Sequence, residues 1–371
     1  MSLSDAALLA ERDGRTAVAK DPDRPMIPAS TMKLVTALAA IKTLGLQHRF
    51  TTEFFRGSDG WLWVRGHGDP FLVSSELDLI ARELRASGIT RVTGIGLDDG
   101  YFAADVEIAG RTSSANPYDA PVTALAANFN TVSVVNRAGV IRSGEAETPL
   151  TPLADSLARQ MGPGDHRVNL QQRDLAVRYF GELLSAKLRG AGIDAGPETR
   201  IGTVPHDARP VLSHANSHDL RTVLTAMLEY SNNFIANDLF LLIGGHDEHR
   251  GVTSAQARGA VDAWVRKTFD WRDHRIEDGA GLSHGNRLSA RQLLAVVKAF
   301  APYRDLLPSK GDGRIRAKTG TLTGVTCLAG YVIRNGHWEP FSLLINQSVA
   351  PDLRLRVAAE LAGEDVPGPS P

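Results

Sequence analysis

At 371 residues, 43% hydrophobic and 22% charged, the chain is too long for one ordinary core and fits two domains or one domain carrying a large insertion. Its 41 basic and 42 acidic side chains are mixed along the whole length, which leaves no basic stripe for nucleic acid and no polybasic run for anionic lipid. No apolar run approaches the roughly 20 residues that span a bilayer, the best being 239–243 with Asp238 beside it.

In chain order, Met1-Ser2-Leu3 runs into Ser4-Asp5 with no basic and apolar leader, so any export signal is expected to have been removed. Residues 7–9 and 16–19 read as a short β lead around the turn Asp13-Gly14, ending at Pro25 and Pro28. A helix is predicted over 30–44, where Leu34, Val35, Leu38, Ile41 and Leu44 recur at helical spacing and Gly45 supplies the stop. From 51 to 170 the pattern changes to short strands, such as 61–64 and 132–135, around one helix at 76–87; this reads as an inserted domain. Amphipathic helices follow at 174–189, 219–243, 255–268 and 290–300, then strands at 328–333 and 339–346 and a C-terminal helix. The catalytic domain is accordingly expected to comprise 1–50 and 171–371, with 51–170 inserted and 367–371 a disordered end. Cys327, the single cysteine, can form no internal disulfide and reads as a small buried apolar residue.

Three short motifs carry chemistry. In Ser30-Thr31-Met32-Lys33 the hydroxyl and the amine lie on one helical face, at the end where backbone N–H groups favour negative charge. A serine hydroxyl is too weak to attack an amide alone, and a lysine can be its base only if burial or another cation lowers its pKa. Ser231-Asn232-Asn233 interrupts the helical stretch 219–243 between Met227, Leu228 and Phe234, Ile235, a polar run that is costly unless it faces a cleft. A second Ser-x-Asn, Ser114-Ala115-Asn116, is set aside because it lies in a Pro-rich loop of the insertion. In Lys318-Thr319-Gly320-Thr321 a strand-edge lysine and hydroxyl can hold a carboxylate, while the glycine admits close approach of a substrate backbone. Two weaker patterns are rejected. Gly94-Ile95-Gly96-Leu97-Asp98-Asp99-Gly100 has its third glycine one place too far for a dinucleotide fingerprint, and His246-Asp247-Glu248-His249, like His214 and His218, lacks metal-ligand spacing and reads as solvated loop.

Ser-x-x-Lys, Ser-x-Asn and Lys-Thr-Gly in this order form the active-site set of penicillin-binding proteins and serine β-lactamases. With Gly66-His67-Gly68-Asp69-Pro70, Asp278-Gly279-Ala280-Gly281-Leu282-Ser283 and Leu328-Ala329-Gly330-Tyr331, the chain resembles the class C low-molecular-weight penicillin-binding proteins, which are D-Ala-D-Ala carboxypeptidases and endopeptidases. The resemblance implies an α/β fold of the β-lactamase/transpeptidase type: a five-stranded antiparallel sheet flanked by helices, interrupted by a smaller α+β domain. It implies Ser30 as nucleophile, Lys33 as base, Ser231 as proton relay, Asn233 on the substrate amide, and Lys318 and Thr319 on the terminal carboxylate. Gly320 belongs to the same subsite, and the N–H groups of Ser30 and Thr321 form the oxyanion hole. Tyr118, in Asn116-Pro117-Tyr118-Asp119-Ala120-Pro121, takes the family's aromatic position at the cleft, while the family aspartate that binds a diaminopimelate amino group is replaced within Arg111-Thr112-Ser113-Ser114. The stretch between Leu306 and Arg316 is shorter than the family norm, which implies a more open rim near Lys318. Peptidoglycan stem peptides are the implied substrates, β-lactams the implied covalent inhibitors, and the periplasm or another extracytoplasmic space the implied location, with no metal or cofactor. A β-lactamase or esterase using the same serine is a rival, as is a non-catalytic peptidoglycan-binding or β-lactam-sensing module. No carboxylate carries the sequence context of the deacylating base of class A β-lactamases, and a binder needs no base.

Overall fold

The computed structural model describes residues 3–245 and 250–363. The tail 367–371 and the histidine run 246–249 lie outside the described residues.

The strand Val325–Arg334 is buried without a break from Cys327 to Val332, as expected of a strand covered on both faces. Cys327, Ala329 and Tyr331 join the main apolar cluster with Leu293 and Val297, and Leu328 and Val332 pack against Ala358 and Ala362 of the C-terminal helix Leu353–Ala362. Antiparallel partners Ile315–Leu322 and His337–Ile345 flank this strand, and Ala6–Arg12 and Arg15–Lys20 continue the sheet beyond the latter. Together they make the five expected strands, and the two-residue Ser309–Lys310 adds a sixth at the opposite edge. Gly320 faces Cys327 and Lys318 faces Ala329 across the ladder, which fixes where the lysine leaves the sheet.

The helix predicted over 30–44 begins with a 3₁₀ turn, Ala29–Met32, and is α-helical only over Lys33–Leu44. Leu34, Val35 and Leu38 are buried as their spacing requires, and Gly45 ends the helix at φ 86. The stretch 219–243 divides into Leu220–Glu229 and Asn233–Gly244. Asp219 caps the first helix at Thr222 N (3.0 Å), and Asn232 caps the second at Ile235 N (3.1 Å). Ser231 lies in the break, in left-handed backbone at φ 53.

The second apolar cluster belongs to a mixed five-stranded sheet, ordered Thr199–Ile201, Ile95–Asp98, Leu62–Gly66, Arg49–Arg56 and Arg209–Asp219. Helices Ser74–Ala86 and Arg173–Gly190 bury Leu77, Ile80, Phe180 and Leu184 in that cluster. A three-stranded sheet, Val140–Ser143, Thr131–Arg137 and Gly164–Asn169, extends the same core through Val132 and Val134. We propose that the inserted unit runs from Arg49 to Asp219, past the expected end at 170, because three of its strands (Asp194–Ala195, Thr199–Ile201 and Arg209–Asp219) and its longest helix come after that point. His214, read from sequence as part of a solvated loop, is instead buried on strand Arg209–Asp219. Burial opposes its charge, but hydrogen bonds to Glu76 (2.8 Å) and Glu83 (2.7 Å) raise its pKa overall. Among the described residues no helix is long and apolar enough to cross a membrane.

Candidate active site

Three segments meet at Lys33: the 3₁₀ turn that holds Ser30, the start of helix Asn233–Gly244, and the loop 278–283. Lys33 Nζ lies 3.0 Å from Ser30 Oγ, 2.7 Å from Asn233 Oδ1 and 2.9 Å from the Ala280 carbonyl oxygen. The side chain is fully buried (0% exposed). Asn233 is orientated by its other end, because its Nδ2 donates to the Tyr118 carbonyl at 3.2 Å, an acceptor that only an NH₂ can satisfy. Its carbonyl oxygen therefore faces the amine.

The loop owes its shape to Asp278, also buried, whose carboxylate accepts backbone N–H bonds from Ala280, Gly281, Leu282 and Ser283 at 2.7–3.0 Å. Asn286 adds a side-chain bond at 2.7 Å, and Asn237 Oδ1 accepts from Gly279 and Ala280 at 3.0 and 3.1 Å. Gly281 has φ 81, and a side chain there would come within 1.9 Å of the Ala29 carbonyl oxygen, so only glycine lets the loop close on the turn that carries Ser30. On the far side, a side chain at Gly320 would reach 2.9 Å from the Pro28 carbonyl oxygen and 3.1 Å from Ser30 N. The Lys-Thr-Gly strand thus lies directly against the turn that carries the serine.

Burial is the main cause that pushes the Lys33 pKa well below the ordinary lysine value, with the charge of Lys318 acting in the same direction and Asp278 opposing. Lys318 is 1% exposed, and its Nζ donates to the Thr319 carbonyl at 3.0 Å. Burial, followed by Arg354 and Lys310, lowers its pKa to about 8, while Glu229 works against them. The two lysines communicate through charge and not through a hydrogen bond.

The structure joins Ser30, Lys33 and Asn233 by hydrogen bonds and sets Thr319, Gly320 and Thr321 on the strand beside them. Ser231 and Tyr118 line one cavity with Asn233. Tyr118 is 56% exposed and its hydroxyl accepts from Asn116 Nδ2 at 2.7 Å. In the same loop the carboxylate of Asp119 turns inward, accepting from Thr112 N (3.2 Å), Thr112 Oγ1 (2.6 Å) and Ser114 Oγ (2.5 Å). Sequence reasoning misses Arg354 of the C-terminal helix, which donates to the Gly320 carbonyl at 3.1 Å and to Thr321 Oγ1 at 2.8 Å. No motif surrounds Arg354. It misses the roles of Asp278 and Asn237 as well, although the segment holding Asp278 contributes to the resemblance.

A buried lysine hydrogen-bonded to a half-buried serine at the start of a helix, walled by a Lys-Thr-Gly strand on an antiparallel sheet, defines a serine acyl-transfer enzyme of the β-lactamase/transpeptidase fold. The chain belongs to the D-Ala-D-Ala carboxypeptidase 3 (S13) family, whose profile matches residues 6–161, 156–309 and 303–362. It is a serine-type peptidase of the D-Ala-D-Ala carboxypeptidase kind. A D-alanyl-D-alanine carboxypeptidase from an Actinomadura species is 28% identical over 99% of this chain and 83% of its own length. The carboxypeptidase DacB of Haemophilus influenzae is 26% identical over 88% of this chain and 82% of its own. In fold, the chain is similar to the crystal structure of penicillin binding protein 4 from Haemophilus influenzae, with a TM-score of 0.79, 22% identity and 96% of each chain covered. A predatory peptidoglycan endopeptidase from Bdellovibrio bacteriovorus aligns with a TM-score of 0.58 at 17% identity, covering 98% of this chain and 92% of that one.

The two lysines make a pH prediction. The neutral form of Lys33 grows as pH rises through its lowered pKa, and a Lys318 that holds a carboxylate loses its charge above about 8. The kcat/KM for a peptide ending in D-Ala-D-Ala, which reports the free enzyme, is expected to fall above about pH 8. For an ester without a terminal carboxylate the alkaline fall is expected to be absent. Identical alkaline limbs for the two substrates would remove Lys318 from carboxylate binding.

Proposed function

We propose that Ser30 attacks the carbonyl of the penultimate D-Ala of a peptidoglycan stem peptide and that Lys33, uncharged, takes its proton. The observation that carries this reading is the partner set of Lys33. A neutral amine has two N–H groups and one lone pair. Asn233 Oδ1 and the Ala280 carbonyl can only accept, so they take both N–H groups and leave the lone pair for the Ser30 hydroxyl.

The N–H groups of Ser30 and Thr321 hold the oxyanion, and the proton passes through Ser231 to the departing amine. That amine belongs to D-Ala in the carboxypeptidase reaction and to a cross-link in the endopeptidase reaction. Lys318 and Thr319 bind the carboxylate next to it, with Arg354 adding positive charge behind the strand. Asn233 gives up the Tyr118 carbonyl to hydrogen-bond the substrate amide, and the exposed Tyr118 ring contacts the substrate chain. Water then cleaves the acyl-enzyme. β-Lactams enter the same pathway as covalent inhibitors. The substrate lies outside the cytoplasmic membrane, and we place the enzyme there.

Two predictions test this. Penicillin adds its mass at Ser30, Ser30→Ala abolishes the adduct, and Lys33→Arg, which cannot deprotonate, slows acylation by about 10²–10⁴. Mass spectrometry and stopped-flow acylation read these outcomes; an unchanged adduct in Ser30→Ala would end the scheme, and near-normal acylation in Lys33→Arg would move the base elsewhere. Separately, Tyr118→Ala lowers kcat/KM for a long peptide and spares a small ester, because a contact remote from the reacting atoms is lost. Equal losses on both substrates would withdraw Tyr118 from substrate binding.

A further inference from the structure

In the helix Leu353–Ala362 the second residue, Arg354, sits where a helix favours it least. A cation in the first turn faces the positive end of the helix dipole, and a half-buried guanidinium calls for a carboxylate. Arg354 is half-buried, and among the described residues no carboxylate lies within ion-pair distance of it. Asp352, in the same turn, is ion-paired with Arg356 at 3.0 Å. The partners of Arg354 are instead on the strand Ile315–Leu322, where one guanidinium nitrogen donates to the Gly320 carbonyl at 3.1 Å and to Thr321 Oγ1 at 2.8 Å. A residue kept against helix preference and without a counter-charge is kept for what it touches.

The two acceptors flank one peptide bond. The Gly320 carbonyl and the Thr321 N–H belong to a single planar trans unit, in which C=O and N–H point in opposite directions. A guanidinium on the carbonyl oxygen therefore leaves the N–H directed away from it, and by polarising the unit makes that N–H a stronger donor. The second bond, to the Thr321 hydroxyl oxygen, spans the same peptide, so its plane cannot turn without breaking one of the two. Side chains alternate along a strand: position 320 meets Pro28 and Ser30 on one face, so Thr321 Oγ1 and Arg354 stand on the other. The guanidinium acts on the peptide from behind and leaves the face toward Ser30 free.

We propose that Arg354 is a positioning residue for acyl transfer, holding and polarising the Gly320–Thr321 peptide so that the Thr321 N–H receives the oxyanion. The assignment rests on the hydrolase reading given above, in which that N–H and the N–H of Ser30 form the oxyanion hole. The same guanidinium has a second effect that can be measured separately: of the charges that lower the pKa of Lys318 to about 8, it contributes most. Its removal weakens the oxyanion hole for every substrate and lets Lys318 keep its proton to higher pH. The first effect shows on a substrate that has no carboxylate for Lys318 to hold, and the second only on one that has.

The test uses the intact chain and two substrates. The first is a small ester without a terminal carboxylate, followed with enzyme in excess so that a single acylation is read. Its maximal rate is expected to fall about tenfold in Arg354→Met, a part of the roughly 10²–10³-fold lost with a whole oxyanion donor, while the enzyme concentration that gives half of that rate stays the same. Arg354→Lys keeps a charged donor and is expected to recover part of the loss. The second substrate is the peptide ending in D-Ala-D-Ala, for which the alkaline fall of kcat/KM is expected to move above about pH 8 in Arg354→Met, a shift that also shows Lys318 still in its site. An ester rate unchanged in Arg354→Met overturns the proposal. A loss that Arg354→Lys does not relieve, with the alkaline limb of the peptide unmoved, assigns Arg354 to holding the helix against the sheet and overturns it too. Wild-type protein that turns over neither substrate would overturn the hydrolase reading itself, and the role of Arg354 with it.

Discussion

Everything around the reaction centre is arranged to keep one lysine amine dry. A charged ammonium taken fully out of water is so costly that the group gives up its proton unless an opposite charge lies against it. Lys33 has no carboxylate hydrogen-bonded to it. Its partners are a hydroxyl, an amide oxygen and a backbone carbonyl, and the second lysine, Lys318, adds repulsion. The carboxylate of Asp278, close enough to oppose the shift, is itself occupied by backbone N–H groups of its own loop. In the proposed mechanism, removing water from Lys33 is what makes it a base, and the packing of helix Lys33–Leu44 inside the main core keeps the water out.

Other features follow from that constraint. The 3₁₀ turn is needed because Ser30 and Lys33 must both point at the same spot while the strand with Gly320 and the loop with Gly281 press on the turn from two directions. Strain accompanies this closeness: Ala29 stands at φ 46 and Ser231 at φ 53, positions that L side chains seldom take. Both flank the reacting atoms. Glu229 opposes the shift of the second lysine, whose subsite receives an anion in the proposed mechanism. Burial thus lowers the pKa of both lysines of the cleft, and the charge of Lys318 adds to the depression of Lys33.

How much of this was legible in the sequence depended on whether the chemistry forces a spacing. Ser30 and Lys33 had to be three residues apart to share a face, and Ser231 with Asn233 had to break an apolar helix, so both left a signal. The strand of Lys318 could be read because a β-branched and apolar run follows it. Asp278 was visible only as part of a segment that carries the resemblance, because a Gly-rich loop does not by itself show which N–H groups a carboxylate will gather. Arg354 reaches the site from an ordinary helix. The limits of the inserted unit were obscured for a related reason: helix Arg173–Gly190 has the pattern of any amphipathic helix, and Arg209–Asp219, with its serines, histidine and asparagine, reads as loop until the buried partners of His214 are known.

The account stands most directly on the ionisation of Lys33. Lysine-selective NMR titration of the free enzyme, assigned with Lys33→Arg, would follow its Nζ without any substrate. The account predicts a titration well below the ordinary lysine range that moves upward in Lys318→Met, because removing the neighbouring charge removes part of the depression. A Lys33 that titrates like an exposed lysine, and is unmoved by Lys318→Met, would contradict it.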